Sequence, residues 1–150
     1  MLKALKKQSH YFRLPAPVQQ ATEVILDPDW RTGFIAANRA NLTQAYADTA
    51  DQLEQIGVKF TTAQSGLVLW LDLRDHLKTD AQAGQFELYQ FLLNDHRVHI
   101  SPGSGFHFTK PGYFRICFSQ NKNTLQEGLQ RIQQGLRQFR NETTQIYQEV

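Results

Sequence analysis

The sequence predicts an α+β fold, in which a small, mainly antiparallel sheet of three to four strands has long helices packed on one face. Residues 67–73 have leucine at every second position. Residues 113–118 likewise have apolar residues at alternate positions, namely Phe114, Ile116 and Phe118. Alternate residues of a strand share a face, so each stretch predicts a strand with one apolar face. From Leu125 to Phe139, apolar residues instead recur every three or four positions, which predicts a long amphipathic helix.

The helices before the sheet are predicted from their ends. Short helices are expected over residues 2–11 and 18–25, with prolines between them. Asp27 and Pro28 are suited to the cap and first position of a longer helix that reaches residue 56, where a glycine stops it.

The remaining elements follow from alternation, helical spacing and turn residues. Thr124 and Glu127 fit a capping box at the start of the last helix. The other predicted elements are strands at 58–61 and 98–101, a helix at 86–93, and a turn at Pro102 and Gly103.

Composition excludes several classes of function. The chain has 150 residues, 41% of them hydrophobic and 20% charged, with a net charge of +2. This is typical of a globular domain, and the absence of a basic tract argues against nucleic-acid binding. No apolar run approaches the roughly 20 residues of a membrane span. A single cysteine allows no internal disulfide, so we expect a reducing, cytoplasmic location.

Arg115 is the candidate functional residue. Strand alternation puts it opposite Phe114 and Ile116, on a face that it shares with Tyr113 and, from the neighbouring strand, Asp72. One interpretation is a structural ion pair with Asp72. The other is a binding site for a carboxylate from outside, which the planar guanidinium suits well.

Other polar residues give weaker signals. The loop at 101–106 contains two glycines, but a strand rather than a helix follows it, so we interpret it as a turn. His96 and His99 are too few for a metal site. Cys117 shares the face of Arg115 but has no base beside it, and we do not assign it as a nucleophile.

Four stretches carry a resemblance to a known family: GLVLWLDLR, ELYQFLL, HISPGSGFH and PGYFRICF. Together they resemble the C-terminal, small domain of fold-type-I pyridoxal-phosphate-dependent class I/II aminotransferases. The greatest similarity is to the subgroup of 1-aminocyclopropane-1-carboxylate synthase. The resemblance implies that Arg115 binds the α-carboxylate of an amino-acid substrate. Trp70, Asp72 and Tyr113 share its face of the sheet and are the candidate pocket-lining residues.

The resemblance also implies a domain organisation. Residues 1–26 would be the C-terminal helical segment of the large domain, 27–140 the small domain, and 141–150 a polar tail. The implied cofactor is pyridoxal 5′-phosphate, bound in the family to a lysine in a Ser-x-Ser-Lys type motif. None of the lysines here lies in such a motif. We therefore expect the isolated chain to be inactive and to form no internal aldimine.

Three hypotheses remain open at this point. The chain could be the C-terminal part of a pyridoxal-phosphate aminotransferase or lyase, whose partner is the large domain or a separately encoded N-terminal half. It could instead be a catalytically inactive binder of small anions, or a module for protein interaction. A homo-oligomer is compatible with each of the three.

Overall fold

The structure of the protein is a computed structural model that describes the backbone of residues 15–146 and the side chains of residues 15–140. The chain divides into two compact units, Met1–Asn41 and Leu42–Val150. The helix predicted at 2–11 lies outside the described residues. No helix within residues 15–146 combines the length and apolar character needed to cross a membrane.

The first unit contains helix α1, Ala16–Leu26, and the beginning of helix α2, Pro28–Gln55. Asp27 caps α2 as predicted, because its Oδ1 accepts hydrogen bonds from the backbone N–H groups of Asp29, at 3.1 Å, and Trp30, at 2.9 Å. The large apolar side chains of α1 and of the first turns of α2 are exposed. They are Val18, Val24, Ile25, Leu26, Trp30, Phe34 and Ile35.

The second unit contains one sheet of four antiparallel strands, in the order β1-β2-β4-β3. The strands are β1 Lys59–Thr61, β2 Val68–Asp72, β3 Ser101–Pro102 and β4 Tyr113–Cys117. Leu69 pairs with Ile116 and Leu71 with Phe114, so the predicted apolar residues form one face. The predicted fold class is confirmed.

Helices cover that apolar face. Helix α3, Gln82–Asn94, and helix α4, Lys122–Ile146, pack on it together with the C-terminal turns of α2. Gly57 ends α2 as predicted, with a φ of +73° that favours glycine. The fully buried members of the core come from every layer: Leu53, Leu69, Leu71, Leu73, Leu88, Leu92, Phe114 and Phe139.

Three local predictions were wrong. Leu67 was placed on the inner face but precedes β2 and is 47% exposed. The strand expected at 98–101 is reduced to Ser101–Pro102, because the preceding segment diverges from β4. Helix α4 starts at Lys122, so Thr124 lies inside the helix rather than at its cap. The backbone of α4 ends at Ile146, and the polar tail at 141–150 stays a prediction.

Candidate functional site

The outer face of the sheet brings the predicted site residues together. Trp70 pairs directly with Arg115, and Asp72 pairs with Tyr113, in the register of β2 and β4. All four side chains are half-buried, whereas their neighbours Leu71, Phe114 and Ile116 are buried in the core. The alternation read from the sequence therefore gave the correct face for each of these residues.

Asp72 binds a different arginine from the one considered in the sequence. Its carboxylate accepts two hydrogen bonds from Arg74, one from Nε at 2.9 Å and one from Nη2 at 2.7 Å. This bidentate pair holds the pKa of Asp72 below its usual range and raises the pKa of Arg74. An ion pair between Asp72 and Arg115 does not form.

Arg115 instead lies against an aromatic ring. Its Cζ is 3.7 Å from the centroid of Phe106, which is a close cation–π contact. Within the described part of the chain, no carboxylate is at ion-pair distance from Arg115. A half-buried guanidinium thus keeps its hydrogen-bonding edge available for an anion.

Aromatic side chains form a wall beside Arg115. Trp70 lies 6.0 Å from Phe106 and 5.6 Å from Phe108 between ring centroids, and Phe108 lies 4.8 Å from Tyr113. Phe106 and Phe108 are each 39% exposed. The sequence did not mark these two phenylalanines as site residues. The turn at Pro102 and Gly103, which it did predict, is the signal that could have brought them to this face.

Buried hydrogen bonds position the loop that carries the two phenylalanines. Gln85 of α3 is almost fully buried and accepts a hydrogen bond at 2.8 Å from the backbone N–H of Gly112. Its Nε2 donates to Ser104 Oγ at 3.0 Å. Gly103 passes so close to β4 that an added Cβ would lie 2.9 Å from the carbonyl oxygen of Tyr113. The loop therefore sits at a fixed place beside Arg115.

The remaining polar residues take separate positions. The ring of His96 contacts Phe91 and that of His99 contacts Tyr89. Within the described residues, no cluster of three or more histidine, cysteine, aspartate or glutamate side chains could hold a metal ion. Burial raises the pKa of the Cys117 thiol, but hydrogen bonds with Ser119 and Gln120 together lower the pKa by more than burial raises it. The pKa of Cys117 therefore lies below its usual value.

The described lysines do not fit covalent attachment of an aldehyde cofactor. Lys59 pairs with Asp75 at 2.6 Å, Lys78 with Glu87 at 2.6 Å and Lys122 with Asp48 at 3.0 Å. Asp75 raises the pKa of Lys59, which favours the protonated ammonium, a form that is not nucleophilic. Lys110 is exposed in a loop.

Comparison with known proteins gives the family. The chain belongs to the class I and II aminotransferases, whose family model matches residues 1–132. It is 34% identical over 110 residues to a 1-aminocyclopropane-1-carboxylate synthase of Cucurbita maxima, a match that covers 73% of this chain and 22% of the relative. A synthase of Arabidopsis thaliana is 31% identical over 122 residues, covering 81% of this chain and 25% of the relative.

Solved structures agree on the fold. An aromatic aminotransferase from Pyrococcus horikoshii superposes with a TM-score of 0.66 at 19% identity, covering 79% of this chain and 30% of that one. An aspartate aminotransferase from Thermotoga maritima superposes with a TM-score of 0.54 at 27% identity, covering 64% and 23%. The chain thus spans about a fifth to a third of the length of the proteins it matches.

Proposed function

We propose that this chain provides the small domain of a pyridoxal-phosphate-dependent aminotransferase or related lyase, and that Arg115 binds the α-carboxylate of its amino-acid substrate. The observation that carries the proposal is a half-buried arginine with no carboxylate partner in the described residues, on a sheet face in a domain of this family. A guanidinium can hold a carboxylate through two parallel hydrogen bonds, which fixes orientation as well as affinity.

The surroundings of Arg115 favour that role. Phe106 covers one face of the guanidinium and Trp70 lies directly across the strand pair. Apolar neighbours reduce competition from water, so a charge-assisted hydrogen bond there is stronger than on an open surface. Because Arg74 occupies the carboxylate of Asp72, that acid does not compete with a substrate for Arg115.

Three further residues have assigned places in the proposed site. Trp70 and Tyr113 supply its aromatic walls. Asp72 contributes indirectly, since it holds Arg74 over the ring of Tyr113, at 5.1 Å from the centroid. These contacts favour an amino acid that can place an apolar group against the wall.

The cofactor and the rest of the catalytic machinery belong, in this proposal, to a large domain. That domain would be part of the same longer protein or encoded separately. A C-S lyase from Staphylococcus hominis with a similar fold is described with the cofactor bound. Residues 1–26 would continue the large domain, and the exposed apolar residues of α1, such as Val24 and Ile25, support this assignment.

The test is complementation. The chain is co-expressed with the large domain of a related aminotransferase that lacks its own small domain, and transamination and elimination are assayed with a panel of amino acids. Arg115→Leu should reduce kcat/KM by about tenfold or more, because a hydrogen bond to a charged group is lost. Arg137→Leu, on the exposed side of α4, is the control. Activity that survives Arg115→Leu unchanged contradicts the proposal.

A denaturation cycle checks that Arg115 is not mainly structural. Arg115→Leu should change the free energy of unfolding by less than about 1 kcal/mol, since no buried partner is stranded. The coupling between Arg115→Leu and Asp72→Asn should stay within about 0.5 kcal/mol of zero. A large favourable coupling would show that the two side chains interact in solution, and the carboxylate-binding role would then be dropped.

The alternative is a catalytically inactive module that binds small anions or another protein through the same face. The exposed rings of Phe106 and Phe108 are the observation in its favour. The complementation assay separates the two, because a module of this kind restores no activity with any large domain.

A further inference from the structure

A cleft opens at the edge of the sheet, where the chain before β3 separates from β4. Pairing between the two strands is limited to Ser101 with Arg115 and Pro102 with Phe114. Residues 97–100 then diverge, and the first turns of α4 lie below the gap. The resulting cleft has a volume of about 390 Å³, within the range of about 300–1,000 Å³ that small-molecule sites occupy.

The floor of the cleft is apolar. Its residues come from the diverging segment, from β4 and from α4, and most of them belong to the hydrophobic core. They are Val98, Ile100, Ile116, Leu125, Leu129 and Ile132. Gly128 interrupts this surface, and a Cβ built on it would meet no atom within 4 Å. There is open space above α4 at that point.

The rim of the cleft is cationic. It carries Arg97, Arg115 and Arg131 against a single acid, Glu127. Glu127 is neutralised by Arg131, which also donates a hydrogen bond at 3.1 Å to the carbonyl oxygen of Arg97. Arg97 and Arg115 have no carboxylate at ion-pair distance within the described residues. The rim therefore keeps positive charge that nothing in this part of the chain offsets.

We propose that this cleft binds an amphipathic aliphatic carboxylate. The hydrocarbon chain lies on the apolar floor, and the carboxylate accepts hydrogen bonds from Arg97 and from the neighbouring rim arginines. An apolar floor alone would accept any hydrophobic group, and the unpaired guanidinium groups select an anion. The proposal does not rest on substrate binding by Arg115, because Arg97 supplies a guanidinium at the rim that is unpaired within the described residues.

The single cysteine of the chain gives a direct readout, because Cys117 lines the cleft. The rate at which iodoacetamide alkylates Cys117 is measured in the full 150-residue chain with increasing octanoate. We expect a saturable decrease in this rate. Octylamine, with the opposite charge, and acetate, without the chain, should give none at equal concentration. Calorimetric titration with octanoate measures the same affinity independently of the thiol.

Two variants and a matched control make the test specific. Gly128→Leu fills the open space above α4 and should abolish octanoate binding, while leucine favours helix and keeps the fold. Gly33→Leu also replaces a helical glycine with nothing within 4 Å of its Cβ, but lies in α2, and should bind octanoate normally. Arg97→Gln should weaken binding by about tenfold, since a charge-assisted hydrogen bond is lost.

The outcomes decide the proposal separately from the substrate role of Arg115. No binding heat and no protection of Cys117, or undiminished binding to Gly128→Leu, overturns the cleft as the site. Equal protection by octylamine overturns the role of the arginines. None of these results bears on the complementation assay, which measures activity with amino-acid substrates and uses the variant Arg115→Leu.

Discussion

At the scale of single residues, the outer sheet face shows which contacts strand alternation can predict and which it cannot. Alternation predicted that Asp72 and Arg115 share a face, and the register confirms it. It could not predict that the carboxylate would bind Arg74. That pair depends on the chain turning from β2 directly into a short 3₁₀ helix, Arg74–His76, which brings the guanidinium back over its own strand. A contact set by a turn leaves no periodic signal in the sequence.

His76 gives a prediction at the same scale. Burial lowers its pKa below the ordinary 6.5, and the positive charge of Arg140 lowers it further, against a smaller opposing effect of Asp75. The folded state thus binds fewer protons than the unfolded state below pH 6.5. His76 therefore does not reduce the free energy of unfolding above that pH. As the pH decreases below 6.5, the free energy of unfolding falls by at most about 1.4 kcal/mol per pH unit.

The measurement is urea denaturation between pH 7.5 and about 5. His76→Gln should flatten the dependence of the unfolding free energy on pH in that window. His99→Gln, which replaces an exposed ring, is the control for the substitution itself. An unchanged slope in His76→Gln would mean that the imidazole is not desolvated in solution.

At the scale of elements, the strands and helices were mostly predicted and their ends were not. The last helix illustrates the reason. A capping box at Thr124 was expected, whereas the cap is Asn121, whose Oδ1 accepts a hydrogen bond from the N–H of Asn123 at 3.0 Å. Its carbonyl oxygen accepts another from Leu125 at 2.9 Å. Two polar residues three positions apart compete as caps, and the path of the chain out of β4 decides between them.

This competition can be measured. Asn121→Ala should lower the free energy of unfolding by about 1 kcal/mol, because it leaves an N-terminal N–H of α4 without its acceptor. Thr124→Ala should be neutral or slightly stabilising, since alanine is the better residue inside a helix. Chemical denaturation of both variants gives the comparison. A larger loss of unfolding free energy in Thr124→Ala than in Asn121→Ala would show that Thr124, and not Asn121, caps the helix.

The edge of the sheet is the other element that sequence did not resolve. Val98 and Ile100 alternate as in a strand and are both buried. However, their segment leaves β4 before it can pair, and Arg97 adopts a left-handed φ of +53° at its start. Burial pattern and pairing are separate properties, and only the first is encoded in alternation. The cleft, with its cationic rim, exists because the two properties diverge here.

At the scale of the whole molecule, the two units differ in how well they bury apolar residues. The unit Leu42–Val150 holds the hydrophobic core. In the unit Met1–Asn41, no residue of α1 is buried. Trp30 and Phe34 stack at 4.9 Å on the surface of α2. An exposed aromatic pair of this kind commonly marks an interaction surface. In the isolated chain, we expect it to drive self-association.

The expected result is a mass above that of the monomer, rising with protein concentration, in size-exclusion chromatography with light scattering. The double variant Trp30→Gln and Phe34→Gln should shift the mass toward 17.3 kDa, because it removes the two largest exposed rings in the described part of the first unit. Phe86→Gln removes a ring of α3 that is more exposed than either of these and should leave the association unchanged. If the parent chain stays monomeric at high concentration, these rings do not drive association. If Phe86→Gln alone abolishes the larger species, the surface lies on α3 instead.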